Sequence, residues 1–345
     1  MIIAVIGGGA SGMAAALGAA GCGAKVTLLE RQARVGRKLA ATGNGRCNLT
    51  NLTASPERYP GGGEFASQAL DRFGPDETLR WFSGLGLVTV TEPGGRVYPL
   101  SDQAGSVVDV LRFALDAAGV ETRFGAEVTD LRKENDGFRL AWAGGGMRAD
   151  RVIVACGGAA GAKVGGGTWG YRLLRGLGHG VTPLRPSLVQ LRVAEPIVRG
   201  LKGVRADGRV RILKDETVLA ESAGEIQFTE YGLSGPAVFE ISRASEAGTV
   251  ASLDLLRDYD GAEVLSMLRA RREACPGLTL ADLFTGMVQN RLGRVLVRYA
   301  GERETEILRD VSDAVLGCLA RAAGDRKSTR LNSSHTDSSR MPSSA

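Results

Sequence analysis

Histidine is almost missing from this chain: among 345 residues only His179 and His335 occur. A Ser-His-Asp triad or a multi-histidine metal site is thereby nearly excluded, because each needs imidazole as base or ligand. Cysteine is sparse and its spacing is not that of pairs. Cys22, Cys47, Cys156, Cys275 and Cys318 are odd in number and widely separated. With no C-x-x-C among them, neither a disulfide framework nor a structural zinc site is expected. No apolar run approaches the roughly 20 residues needed to span a bilayer. The first strand starts at Ile2, so a signal or transit peptide is not expected either, and cytoplasm is the expected compartment. Blocks of like charge are also missing. The formal net charge is +5, of which Lys327, Arg330 and Arg340 against Asp337 supply +2, leaving 40 basic and 37 acidic residues elsewhere. These are interspersed, as on a solvated surface, so neither nucleic acid nor membrane is an expected partner.

What is present begins at the N-terminus. Ile2 to Ile6 is a short apolar run that reads as a buried parallel strand. It ends in Gly7-x-Gly9-x-x-Gly12, and Ala14 to Ala20 reads as a closely packed helix. Val26 to Leu29 reads as a second strand and closes on Glu30, 18 residues past Gly12. In such a unit Gly7 allows the tight turn, Gly9 admits a pyrophosphate against the backbone, and Gly12 lets helix approach strand. The helix start at Ala10 and Ser11 offers N–H groups to phosphate. Glu30 can accept hydrogen bonds from ribose hydroxyls and would repel a 2′-phosphate. The glycine spacing alone also fits an ordinary turn; the flanking strand, helix and acid give the dinucleotide reading.

The polar, glycine-rich stretch from Val35 to Asn51 is too flexible for a core element and reads as a functional loop. Helical signals follow over 65–72, 76–84 and 104–118. Residues 120–149 alternate like a β-meander, and Arg151 to Ala155 reads as a buried strand ending in Cys156-Gly157-Gly158. That order favours a flavoprotein over a classical nicotinamide dehydrogenase, which continues in helix–strand repeats. No second G-x-G-x-x-G is present for a separate NADPH domain. From 187 to 258 short strands dominate: Val189–Val193, Val210–Lys214, Val218–Glu221, Ile226–Thr229 and Val250–Leu255. A helix opens at Ser234-Gly235-Pro236, and four helical stretches are expected over 260–322. The fold class is therefore α/β: a doubly wound, Rossmann-type FAD-binding domain with a β-meander over 1–186. An inserted β-barrel-like domain occupies 187–258 and its helical appendage 259–326. Seven of the last eighteen residues are serine, so 327–345 is expected to be a disordered or artefactual tail. It looks like translated adapter read-through, which would mean that the natural C-terminus is missing.

Three blocks resemble the BaiN-type, or aminoacetone oxidase, family of the two-dinucleotide-binding-domain flavoproteins. They are Gly36-Arg37-Lys38 with Gly43-x-Gly45-Arg46-Cys47-Asn48-Leu49-Thr50-Asn51, Gly94-Gly95-Arg96-Val97-Tyr98-Pro99-Leu100-Ser101, and Gly224 through Val238. The resemblance implies an FAD-dependent oxidoreductase, with NAD(P)H as a candidate electron donor. It would move hydride between a small organic substrate and flavin, as in enone reduction or amine oxidation. The expected cofactor-binding residues are Gly7, Gly9, Ala10, Ser11, Gly12, Glu30, Arg31, Lys38, Gly45, Arg46, Cys47, Asn48, Val128, Ala155 and Gly157. No metal and no catalytic residue is assigned. The chain departs from the family at Cys156, usually threonine, near Gly167-Thr168-Trp169, usually of Thr-Gly-Asp type, and at Glu230, often histidine. The family's closing strand and helix, which cover the flavin ring, have no counterpart, so poor FAD retention is expected.

Competing readings attach to several residues. Cys47 lacks the nearby second cysteine of a redox dithiol, leaving packing or a flavin-adjacent role. Lys38, Arg46 and Asn48 read as cofactor contacts or as surface. Glu230, Tyr231 and Ser234 are candidates to face substrate, with Ser234 alternatively an N-cap; His179 reads as a helix C-terminal cap residue. Two other functions compete with the flavoenzyme: a nicotinamide-only dehydrogenase, and a flavin-binding module in RNA modification or protein interaction.

Overall fold

The computed structural model describes residues 1–59, 62–193, 196–324 and 330–335. The chain divides into two units, one over Met1–Thr182 and a second starting at Pro183.

The first unit is built on strand β1 (Ile2–Ile6), helix α1 (Ala10–Gly21) and strand β2 (Lys25–Leu29). Next come β3 (Thr50–Asn51), α2 (Gly63–Arg72), α3 (Pro75–Gly84), β4 (Thr89–Glu92), β5 (Arg96–Pro99) and α4 (Ala104–Ala117). The unit continues with β6 (Glu121–Arg123), β7 (Val128–Glu134), β8 (Gly137–Trp142), β9 (Gly145–Ala149), β10 (Arg151–Val154) and α5 (Trp169–Gly176). A four-stranded parallel sheet runs in the order β10-β1-β2-β6. Its central strand is apolar throughout because both faces are covered, as a parallel sheet requires. Ile3 and Val5 pack with Met13, Val26, Leu28, Leu111 and Leu115 on one face. Ala4 and Ile6 pack with Leu29, Val128, Leu131, Leu140 and Leu173 on the other. The meander is the antiparallel sheet β7-β8-β9, and a third sheet runs β3-β5-β4.

The second unit carries β11 (Leu191–Val193), β12 (Arg205–Lys214), β13 (Thr217–Phe228), β14 (Gly232–Ser234), α6 (Pro236–Ile241) and β15 (Thr249–Asp254). Helices α7 (Gly261–Ala274), α8 (Asn290–Tyr299) and α9 (Asp313–Gly324) follow, then β16 (Arg330–His335). The strands close an antiparallel barrel in the order β11-β14-β13-β12-β15-β16. Its core joins Leu191, Val210, Ile212, Ile226 and Leu253 to Leu268, Phe284, Leu296 and Leu316 from the helical part.

Three differences from the sequence reading have local causes. The strands expected at 218–221 and 226–229 are one, because Gly224 takes φ 144° opposite Gly208 and carries the pairing with β12 through the gap. Three α-helices form among the described residues of 260–324 where four were expected, since Leu280–Asp282 and Leu308–Asp310 are single 3₁₀ turns. Within the tail, Arg330–His335 is not irregular: it pairs with β11 and β15. Backbone groups make a ladder whatever the side chains are, so a polar segment can fill the gap between two unpaired edges. The rest of 325–345 lies outside the described residues.

Helix α7 opens on a full capping box. Asp260 accepts from the N–H groups of Ala262 and Glu263, both at 2.8 Å, and the Glu263 carboxylate accepts from Asp260 N–H at 2.7 Å. Asp260→Ala is expected to lower stability by about 1 kcal/mol in denaturant titration, the usual value of a lost N-cap.

Candidate functional site

The loop between β1 and α1 is shaped by glycines that the protein itself demands, and by one that it does not. Gly7 takes φ +107°, and a Cβ there would lie 2.6 Å from the Ala155 carbonyl oxygen. A Cβ on Gly12 would fall 1.7 Å from the Gly7 oxygen, so helix and strand meet at backbone distance. Gly8 is equally constrained, by Val35 at 2.7 Å and the Glu30 carboxylate at 3.0 Å; it is a requirement that the G-x-G-x-x-G spacing does not register. Gly9 differs. Its Cβ would meet nothing within 4 Å, and its φ of −82° suits any residue. Nothing in the polypeptide requires glycine there.

Gly9 is the N-cap of α1, and no side chain caps the helix. Its first-turn N–H groups therefore have no side-chain acceptor, an arrangement that could serve as an anion cradle. Opposite, at the end of β2, Glu30 is held in place by two backbone donors. Gly8 N–H donates to Oε2 at 2.6 Å and Gln32 N–H to Oε1 at 2.8 Å. Each oxygen keeps a lone pair for a further donor.

These groups border one cleft of about 320 Å³. Of the residues expected from sequence, it brings together Gly7, Gly9, Ala10, Ser11, Glu30, Arg31, Lys38, Ala155 and Gly157. Gly12 lies beneath them, in the helix–strand contact. Four cations line the cleft, Arg31, Arg34, Arg37 and Lys38, against the single carboxylate of Glu30. Three of these reach across to one glycine-rich loop. Lys38 Nζ donates to the Ala160 carbonyl at 2.8 Å, Arg37 to Lys163 at 3.1 Å and Arg31 to Gly165 at 2.7 Å. Burial, and then the Arg31 charge, lowers the Lys38 pKa. The donor set fits a dinucleotide: N–H groups and cations for a diphosphate, a carboxylate for ribose hydroxyls. Arg34, Arg37, Cys156, Gly165 and Trp169 also line the cleft but were not among the expected contacts. Arg37 stood inside the Gly36-Arg37-Lys38 block, a signal that could have included it.

Five expected residues do not line this cleft. Gly45 is exposed at φ +85° with open space around it. Arg46 stacks on the Tyr98 ring at 4.0 Å and pairs with Glu92 at 2.5 Å and with Asp102; these carboxylates raise its pKa. Cys47 is buried beside the first unit's core, which pushes its thiol pKa up. Asn48, with its amide nitrogen turned inward, donates to the Thr50 carbonyl at 2.8 Å and to Val97 at 3.2 Å. Val128 is buried at the start of β7 beside Ile6 and Leu29.

All five cysteines are free thiols, and Cys156 in the cleft also has its pKa raised by burial. In the second unit Glu230 pairs with Lys202 at 2.9 Å, which lowers its pKa. Tyr231 donates to Gln190. Ser234 is buried within β14, and Gly235 is the N-cap of α6 instead. His179 N–H bonds to the Leu174 carbonyl at 3.1 Å, behind Gly178 at φ +89°. That is a Schellman closure of α5 and uses no imidazole chemistry. Among the described residues there is no metal-binding cluster and no helix long and apolar enough to cross a membrane.

Residues 1–342 match the HI0933-like protein Rossmann domain family. The chain is 40% identical over 299 residues to the 3-dehydro-bile acid delta(4,6)-reductase of Clostridium scindens, covering 84% of this chain and 73% of that protein. It is 30% identical over 291 residues to the ribosomal RNA dihydrouridine synthase of Escherichia coli, covering 84% and 71%. The enzyme of that name from Haemophilus influenzae is 25% identical over 315 residues, covering 89% and 76%. With its cradle, acid and parallel sheet in place, the chain belongs to the HI0933-like Rossmann family, the BaiN/aminoacetone oxidase type of FAD-dependent oxidoreductase.

Proposed function

We propose that this enzyme reduces a carbon–carbon double bond conjugated to a carbonyl in a small organic substrate. The observation that carries the reading is the 40% identity to a 3-dehydro-bile acid delta(4,6)-reductase across most of the chain. In such a reduction hydride adds to the carbon β to the carbonyl and a proton to the α carbon. FAD, when bound, supplies the hydride from its reduced ring, and NAD(P)H is the proposed source of electrons.

The chain's own residues bind and orient. The α1 N-terminus with Lys38 and Arg37 would take the diphosphate, and Glu30 the adenosine ribose. Burial pushes the thiol pKa of both Cys47 and Cys156 up, and the chain has no C-x-x-C, so neither supports dithiol exchange.

A second reading is favoured by the two ribosomal RNA dihydrouridine synthases. Uracil also presents a carbon–carbon double bond conjugated to a carbonyl, so one reductive chemistry serves both, with RNA in place of a small molecule.

The test is anaerobic. FAD-loaded protein is bleached with NADPH or NADH and then mixed with a 3-oxo-Δ4 steroid or an unmodified ribosomal RNA, and the oxidised FAD-loaded protein is separately mixed with a primary amine. Return of the yellow oxidised spectrum with the steroid supports the proposal, and return with RNA alone supports the second reading. Bleaching of the oxidised protein by the amine, with neither acceptor active, would overturn both in favour of amine oxidation.

A further inference from the structure

Trp169 stands at the rim of the same cleft, with no role in the diphosphate cradle. It opens α5, and its half-buried ring packs against the cluster that contains Ile6, Val128 and Leu173 while also lining the cleft. The Arg31 guanidinium lies 5.8 Å from the ring centroid. That guanidinium is fixed on its other side by the Gly165 carbonyl at 2.7 Å and by Glu127 at 3.7 Å. Gly165 takes φ +99°, and a Cβ there would lie 3.7 Å from Arg31 Nη2, so the loop carbonyl sits close to the cation.

We propose that Trp169 and Arg31 form the seat for an adenine ring, which makes Trp169 a specificity-determining residue for adenine nucleotides at this site. The inference rests on the FAD reading above and goes beyond it by naming what grips the base. Three observations carry it. Arg31 follows Glu30 directly, so the pair lies next to the carboxylate positioned for the adenosine ribose, one sugar away from the diphosphate. An indole face and a guanidinium plane are the groups on which purines stack, whereas Lys38 suits a phosphate as a point charge. Half-buried Val164 also lines the cleft, an apolar surface that suits a flat base. Arg31 is already tethered, so little side-chain ordering remains to be done on binding.

The experiment uses the full chain and ADP, which carries the adenosine and diphosphate without flavin. ADP is titrated against tryptophan emission, and ADP, FAD and FMN are then titrated by calorimetry. The chain has three tryptophans, and only Trp169 lines the cleft. ADP is expected to quench emission in the unsubstituted protein and not in Trp169→Phe. Trp169→Phe should keep ADP affinity within about threefold, because a phenyl ring still stacks, while Trp169→Ala should bind ADP and FAD about tenfold more weakly. FMN, which lacks adenosine, should bind all three proteins equally. Unchanged ADP and FAD affinity in Trp169→Ala, or an equal loss for FMN, would overturn the adenine seat. So would saturation with ADP without quenching in the unsubstituted protein, which needs no variant to fold. ADP quenching without any FAD binding would instead overturn the flavin reading and support the seat.

Discussion

Gly9→Ala is expected to leave the fold standing and to weaken FAD binding at least about ten- to hundredfold, whereas Gly12→Ala is expected to damage both. The contrast follows from what each new methyl group would meet. At Gly9 a Cβ would meet no atom from elsewhere in the fold within 4 Å, and the backbone already sits in a region open to alanine. The only intrinsic cost is alanine at an N-cap, about 1 kcal/mol or less. The methyl group would occupy the space in front of the α1 N–H groups, where a diphosphate must approach. Losing charge-assisted hydrogen bonds worth about 1.5–3 kcal/mol each corresponds to at least a ten- to hundredfold drop in affinity. At Gly12 the methyl group would sit 1.7 Å from the Gly7 oxygen. Backbone cannot yield that distance without moving α1 off the sheet, an overpacking cost of about 1–3 kcal/mol or more. Denaturant titration and FAD titration of both variants check the pair. Unaltered FAD affinity in Gly9→Ala would remove the cradle assignment.

The different tasks of Gly9 and Gly12 are legible in the sequence. The strand, turn, helix and acid of the first thirty residues are local: a buried run, a glycine spacing and a closing carboxylate occur within a few turns of one another, so periodicity reveals them. The spacing assigned Gly7, Gly9 and Gly12 separate tasks, but it could not say that Gly8 is pinned between Val35 and Glu30, because both neighbours come from other segments.

The loop from Gly43 to Asn48 shows the same limit in its side chains. Its residue types suit a cofactor, yet Arg46 pairs with Glu92 and Asp102, 46 and 56 positions away, and Asn48 bonds to the Val97 carbonyl. Cations and amides satisfy a carboxylate or a backbone carbonyl as readily as a phosphate, and composition cannot choose between them. Conversely, Gly165 and Trp169 enter the cleft because a loop more than 120 residues after Lys38 folds back onto Arg31, Arg37 and Lys38. The departure at Gly167-Thr168-Trp169 marked the place without giving it a task. In the second unit, barrel closure through Arg330–His335 depends on edges left open by β11 and β15, which no property of a serine-rich segment announces.

Glu30→Ala is expected to weaken FAD binding and to lower the stability of the unliganded protein as well, because the carboxylate does two things at once. Its oxygens take the Gly8 N–H at 2.6 Å and the Gln32 N–H at 2.8 Å, at a position only 9% exposed. Removing it leaves two largely enclosed backbone donors without that partner, at about 1–3 kcal/mol each, which denaturant titration reads directly. Loss of the ribose hydrogen bonds adds a binding penalty of about 1–3 kcal/mol, or about 5- to 150-fold in Kd. The two effects separate with ligands that differ only at the sugar. The unsubstituted protein should prefer ADP over 2′-deoxy-ADP and strongly disfavour a 2′-phosphorylated ADP, because a phosphate dianion cannot approach a fixed carboxylate. In Glu30→Ala the preference for the hydroxyl should vanish. The 2′-phosphate should gain affinity relative to ADP, since Arg31 and Arg34 line the same cleft with no acid left to oppose them. A variant that loses stability while keeping the ADP over 2′-deoxy-ADP preference would show that Glu30 only braces the turn, and the ribose would then have to be held elsewhere.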